Sequence, residues 1–164
     1  MSNQVEYGGG KLKVNIENEG EQGKLFFEGV IDEDFSGDKI SSVKFKNYLI
    51  DFDKVSMINS CGIREWITYL ETIDSQSKIT YVNCPPVIVN QMNIVAGFLT
   101  PNAKVESFYA PYYDEEEDEE IIKLLKVEDI KDGKAPVLTN DNGEELEFDG
   151  IEKQYFNFIN LQKK

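Results

Sequence analysis

Polar and apolar residues alternate through Lys11-Leu-Lys-Val-Asn-Ile-Glu, the pattern of a strand with one buried face. Lys24-Leu-Phe-Phe-Glu-Gly-Val-Ile reads as the returning strand across a Gly20–Gly23 turn, so the two are expected to form a hairpin. Asp32–Lys39 is polar and turn-rich and leaves room for only a short helix in Asp34–Phe45. Asn47-Tyr-Leu-Ile-Asp-Phe follows as a buried strand. From Ser60 the period changes. Ile63, Trp66, Ile67, Leu70 and Ile73 recur at helical spacing and form one apolar stripe, with Arg64, Glu65, Thr68 and Glu71 on the solvent side. Lys78-Ile-Thr-Tyr-Val-Asn is the next strand, Pro85-Pro86 opens a helix over Val87–Phe98, and Val105–Tyr109 closes the series. Two strands followed by alternating strand and helix predict an α/β fold: a mixed sheet with helices packed on it.

The pattern breaks at Pro111. Beyond it lie the uninterrupted acids Asp114–Glu120, a strand over Ile121–Val127, and a hairpin turn at Asn142-Gly143 between Val137-Leu138 and Leu146-Glu-Phe. An aromatic helix carrying Ile151, Tyr155, Phe156, Phe158 and Ile159 ends the chain. Residues 1–110 are therefore expected to form the main domain. Residues 111–164 form a small acidic C-terminal unit of β-ribbon and helix.

Composition narrows the chemistry. Ten Phe and eight Tyr in 164 residues supply a real core. The net charge of −14 is uneven: residues 1–113 carry 15 acids against 10 bases, and 114–164 carry 16 against 7. Such a surface repels phosphate backbones and anionic lipid, so nucleic-acid and membrane binding are not expected, and the partners should be proteins with a basic docking face. The N-terminus lacks the basic and apolar regions of a signal peptide, and no apolar run reaches the roughly 18 residues that span a bilayer, so a cytoplasmic protein is expected. The chain has no histidine, which removes the commonest general base and metal ligand. Cys61 at a helix start and Cys84 in a loop read as packing residues, and no disulfide, catalytic or redox role is expected of them.

Gly29-Val-Ile-Asp32, Tyr48-Leu-Ile-Asp-Phe-Asp-Lys-Val-Ser-Met-Ile-Asn-Ser-Cys-Gly-Ile and Asn83–Phe98 stand in the order and spacing of three conserved pieces of the STAS family, the anti-sigma factor antagonists. The chain resembles that family over residues 10–110. The resemblance implies a non-catalytic protein-protein interaction module of bacterial signalling, without a cofactor, whose partner is a serine kinase that is also an anti-sigma factor, or another regulatory protein. It places the family's phosphoacceptor on Ser60 and the switch loop and partner surface on Asp32, Asn59, Cys61, Gly62 and Arg64. Asn59 departs from the family's aspartate, and Asp34–Phe45 is shorter than the family's helix there.

The physical chemistry of Ser60 fits that role. A helix start offers free N–H groups and the positive end of the helix dipole to a phosphate. Phosphoserine adds about −1.5 to −2 charges, enough to switch a docking face by repulsion. Read without phosphorylation, Ser60 is an N-cap worth about 1 kcal/mol. Gly62, lacking a side chain, would leave the approach open. Two other functions stand beside this one: a small-molecule or nucleotide sensor using a cleft where the loops after Ile31, Ile58 and Asn83 converge, and a structural adaptor without a switch.

The C-terminal unit resembles a rubredoxin-like zinc ribbon that has lost its cysteines. Asp114-x-x-Glu117 and Thr139-x-x-Asn142-Gly143 occupy the places of its Cys-x-x-Cys pairs. Without thiolates no zinc is expected, and stability falls to Tyr112, Leu124, Phe148, Tyr155 and Phe156. The acidic run reads as a solvated loop, with a basic partner surface or a divalent ion as alternatives. An EF-hand alignment fails because Leu138 would take the first ligand position.

Overall fold

The computed structural model describes residues 2–162. Its main sheet has six strands in sequence order: β1 (Ser2–Tyr7), β2 (Leu12–Glu19), β3 (Gln22–Ile31), β4 (Asn47–Ile58), β5 (Lys78–Val82) and β6 (Ala103–Val105). The first three pair antiparallel, and β3 to β6 run parallel, giving the expected mixed sheet with helices. The β2–β3 hairpin turns after Glu19, which pairs with Gln22.

Parallel neighbours connected in one direction along the sheet, each by a right-handed crossover, carry all their connections on one face. Those connections are a 3-10 turn at Gly37–Lys39, α1 (Ser60–Glu71) and α2 (Pro86–Ile94). The short helix expected within 34–45 is this single turn. The inward side chains of each strand meet the connections: Leu12, Val14 and Ile16 on β2, Leu25 and Phe27 on β3, Ile50 and Phe52 on β4, and Tyr81 on β5 are all buried.

Trp66 of α1 is the hub, with ring centroids 5.3 Å from Phe27, 5.4 Å from Phe52 and 5.5 Å from Tyr69. Fully burying each such ring stabilises by roughly 1.5–3 kcal/mol. The buried stripe of α1 is Gly62, Trp66, Tyr69 and Leu70. Ile63 and Ile67, expected inside, flank this stripe and are only half-buried.

Two strands differ from the expected pattern. β1 carries no alternating signal: Asn3, Gln4 and Glu6 are exposed and Tyr7 is buried, its hydroxyl donating to the Ser36 carbonyl at 2.7 Å. The segment Val105–Tyr109 is divided at Glu106 between two sheets. β6 ends at Val105, and β7 (Ser107–Asp114) begins a second sheet with β8 (Glu119–Lys126) and β9 (Glu147–Phe148) in the order β8-β7-β9.

The second sheet and the helices α3 (Glu152–Tyr155) and α4 (Asn157–Gln162) share one continuous core with the first. Phe108 meets Phe158 edge-on at 5.1 Å, and Cys84 bridges in parallel to Phe108. Asn93 of α2 donates to the Tyr155 carbonyl at 2.9 Å and accepts from the Phe158 N–H at 2.8 Å, tying the C-terminal helices down. Leu124, expected in this core, faces outward and is 51% exposed. The inward phase of β8 belongs to Leu125, which pairs with the buried Phe108. Among the described residues no helix is long and apolar enough to cross a membrane.

Candidate functional site

The ends of β3 and β4 lie side by side, with Ile31 paired to Ile58, and both chains turn outward there. The backbone N–H of Asn59 donates to the Ile31 carbonyl at 3.2 Å, and α1 starts at the next residue. Asp32, Asn59, Ser60, Cys61, Gly62 and Arg64 are thereby gathered at one end of the sheet.

The cap of α1 is Asn59 and not Ser60. Asn59 Oδ1 accepts from the Gly62 N–H at 2.8 Å, the bond expected of an N-cap side chain, while its Nδ2 donates to Glu33 Oε2 at 3.2 Å. The second bond accounts for the amide at this position, since an aspartate would set two carboxylates against each other. Ser60, relieved of capping, is the first helical residue; it is exposed, and its hydroxyl has no hydrogen-bond partner among the described residues.

Gly62 does not hold open an approach to Ser60. It lets the helix start touch the sheet. A Cβ on Gly62 would lie 2.1 Å from the Ile31 carbonyl oxygen and 3.1 Å from the Asp32 nitrogen. Gly29, the other motif glycine, works in the same way against β2. It has φ +116°, and its Cβ would meet the Lys11 carbonyl oxygen at 2.1 Å.

Asp32 is buried and held by Lys11, whose Nζ lies 2.7 Å from Asp32 Oδ2 and 2.7 Å from Asp34 Oδ2. Asp32 Oδ1 also accepts from the Asp34 N–H at 2.9 Å. The Lys11 ammonium beside Asp32 holds that carboxyl below the usual carboxylate range, and the two aspartates push the Lys11 ammonium up. Neither Lys11 nor Glu33 stands out in the sequence, since each earns its place only through a contact across the sheet.

Arg64 is exposed one turn after Ser60 and has no ion-pair partner among the described residues; it is the chain's only arginine. Cys61 is half-buried and unpaired. Cys84 is fully buried, which pushes its thiol well up and leaves it inert.

The three-loop cleft is not formed. Asn83 Nδ2 donates to Asp51 Oδ2 at 2.9 Å, at the level where β5 leaves the sheet. Asp51 lies seven residues before Ile58, or roughly 20 Å at the rise of a strand. Strand β4 runs on past β5 paired with β3 alone, so the loop after Asn83 never reaches Ser60.

In the C-terminal unit the turns at 114–118 and 139–143 do meet. Asn140 Nδ2 donates to Asp114 Oδ1 at 3.3 Å and to Glu116 Oε2 at 3.2 Å, and Asn142 Nδ2 donates to Glu116 Oε1 at 2.7 Å. These contacts fall on 114, 116, 140 and 142, whereas the ribbon pattern points to 114, 117, 139 and 142. They form a carboxylate–amide clasp. Among the described residues no three Cys, Asp or Glu side chains converge as metal ligands.

No protein-family model matches the chain, and no curated protein matches it. Among solved structures, an anti-sigma factor antagonist from Mycobacterium paratuberculosis is similar at 13% identity with a TM-score of 0.39, over 53% of this chain and 71% of that one.

Proposed function

We propose that the protein is a non-catalytic protein-interaction module of cytoplasmic signalling, docking a regulatory protein at the β3–α1 end and switched by phosphorylation of Ser60. One observation carries this reading. Because Asn59 caps the helix, Ser60 presents an exposed hydroxyl with no hydrogen-bond partner among the described residues, and Arg64 stands at i+4 on the same face, within reach of a phosphate. The helix dipole adds to that attraction. Opposing it are Glu33 and the Asp32–Asp34 pair, of which Lys11 neutralises part. Phosphorylation would thus turn a nearly balanced corner strongly negative and disrupt a docking face fitted to the uncharged serine.

The test is incubation with ATP and a serine kinase encoded beside this gene, followed by phosphopeptide mapping. Phosphate is expected on Ser60, and partner capture is expected to survive Ser60→Ala and fail with Ser60→Asp. A kinase that leaves Ser60 unmodified, or a partner indifferent to both substitutions, would reduce the protein to a structural adaptor. The contribution of Arg64 is read by phosphorus NMR. The second ionisation of phosphoserine, ordinarily near pH 6, should sit lower in the native protein than in Arg64→Gln.

A further inference from the structure

The topology leaves one face of the main sheet bare. With all three crossovers on the other face, the outward side chains of β2, β3 and β4 have no covering layer, and Asn15, Phe26 and Asp51 stand in register across them, only half-buried. They belong to a hollow of about 290 Å³ whose walls also carry Glu17, Glu28 and Asp53. Lys54 is its one lining cation among the described residues. Of the neighbouring lysines, Lys24 is engaged by Glu19 at 3.2 Å, and Lys13 stands across from Glu28.

The second sheet extends this face. Tyr109, Pro111 and Tyr113 alternate outward along β7, and β8 sets Leu124 opposite Tyr109 and Ile122 opposite Pro111. Ile122 is 43% exposed and Leu124 51%, so the five form a contiguous apolar patch in water. The Tyr109 hydroxyl donates to Asp53, linking patch and hollow into one surface, and the Tyr113 hydroxyl donates to Asp118. Acids rim the far side: Glu120 stands opposite Tyr113, and the neighbouring Asp149 pushes its carboxyl up.

We infer that this continuous β face docks an extended basic protein segment, with an arginine or lysine side chain seated in the hollow over Phe26 and apolar side chains against Ile122 and Leu124. Charge complementarity selects the occupant. Four carboxylates line the hollow against one lysine, in a chain of net charge −14, and an aromatic ring beside them suits a cation. A second copy of the chain would bring the same acids to the same face, and nucleic acid or an anionic bilayer would be repelled. The inference is independent of Ser60, which lies at the end of β4 beyond this face.

The experiment uses the full chain and an eight-residue peptide of alternating arginine and leucine, with alternating glutamate and leucine as the control. Titration followed by amide NMR should move signals of residues 109, 110, 112, 113, 120–124 and the strands around Phe26 with the basic peptide alone. Affinity should fall at least tenfold in the double variant Glu28→Gln/Asp53→Asn, and at least fivefold in Ile122→Ser/Leu124→Ser. Neutralising Glu65 and Glu71 on α1 should leave it within twofold. Circular dichroism checks that each variant is folded. Equal loss from the α1 variant would mean diffuse charge attraction and overturn the site. So would full binding by the Ile122→Ser/Leu124→Ser variant, or self-association through this face in place of peptide binding.

Discussion

The α carbon of Gly62 sits against the carbonyl of Ile31, so closely that a methyl group there would stand 2.1 Å from the oxygen. That oxygen also accepts the Asn59 N–H, so the end of β3 and the start of α1 are locked across one peptide group. Gly62→Ala must therefore move backbone against backbone. It is expected to cost about 1–3 kcal/mol, and more if the hydrogen bond breaks. Ser60→Ala, two residues away but exposed and without a side-chain partner, should stay within about 0.5 kcal/mol. Urea unfolding of the two variants side by side checks this, and equal midpoints would show that the helix start does not bear on the sheet.

Asn59 joins two roles in one amide, and they separate by substitution. Asn59→Ala removes the cap and should cost about 1 kcal/mol. Asn59→Asp keeps an acceptor for the Gly62 N–H and places a negative charge at the helix start, which is favourable, but loses the donor to Glu33 and opposes its charge. It should cost less than Asn59→Ala. Most of the remaining loss should return when Glu33→Gln is added, as a double-mutant cycle would read. Additive behaviour of the two substitutions would mean that the 3.2 Å contact between Asn59 and Glu33 carries no coupling.

The Lys11–Asp32 pair predicts a definite pH dependence. The folded-state pKa of Asp32 is lowered, so its contribution is fully present above the unfolded-state value of about 3.9 and disappears as pH falls through the lower folded value. Lys11 is raised, so its contribution is complete below about 10.4 and is lost only as pH rises through the folded value. Between these limits the pair adds no slope. The difference in urea midpoint between the native protein and Lys11→Gln should be level from about pH 5 to 9 and shrink below about pH 4. It should also shrink with added salt, because Lys11 is exposed. A difference that stays constant down to pH 2.5 would show that the carboxyl is not held low.

How much of this was readable beforehand depended on whether the signal was local. The β2–β3 hairpin, α1 and the entry to α2 show in periodicity and turn residues within a few positions, although the buried face of α1 is shifted from Ile63 and Ile67 toward Tyr69. β1 does not, since an edge strand with Asn3, Gln4 and Glu6 in solvent needs only Tyr7 inside. The choice of Leu125 over Leu124 is likewise invisible in the run Ile-Ile-Lys-Leu-Leu. A one-residue change of phase reverses every side chain of β8, and only its pairing with β7 settles the phase. At the Ser60 end the motif residues were legible by their order along the chain. The reason for each was not: Gly62 answers to Ile31, Asn59 to Glu33 and Asp32 to Lys11, all contacts between segments far apart in sequence.

The C-terminal helices offer a last test, because one side chain on α2 bonds both of them. Asn93 bonds the Tyr155 carbonyl and the Phe158 N–H, bridging to residues 62 and 65 positions later. Phe156, Phe158 and Ile159 are buried beneath that bridge, while Gln162 reaches the Val105 N–H at 2.8 Å as a second tether. Helices of four and six residues have no stability of their own, so their order rests on these contacts. Asn93→Ala leaves the Phe158 N–H without its partner and is expected to cost about 1–3 kcal/mol. Asn93→Asp retains that acceptor and should cost less. Hydrogen exchange should quicken over 152–162 in Asn93→Ala and remain slow in the strands around Trp66. Uniform quickening across the chain would mean instead that the helices and the main sheet unfold as one unit, with no local opening for Asn93 to control.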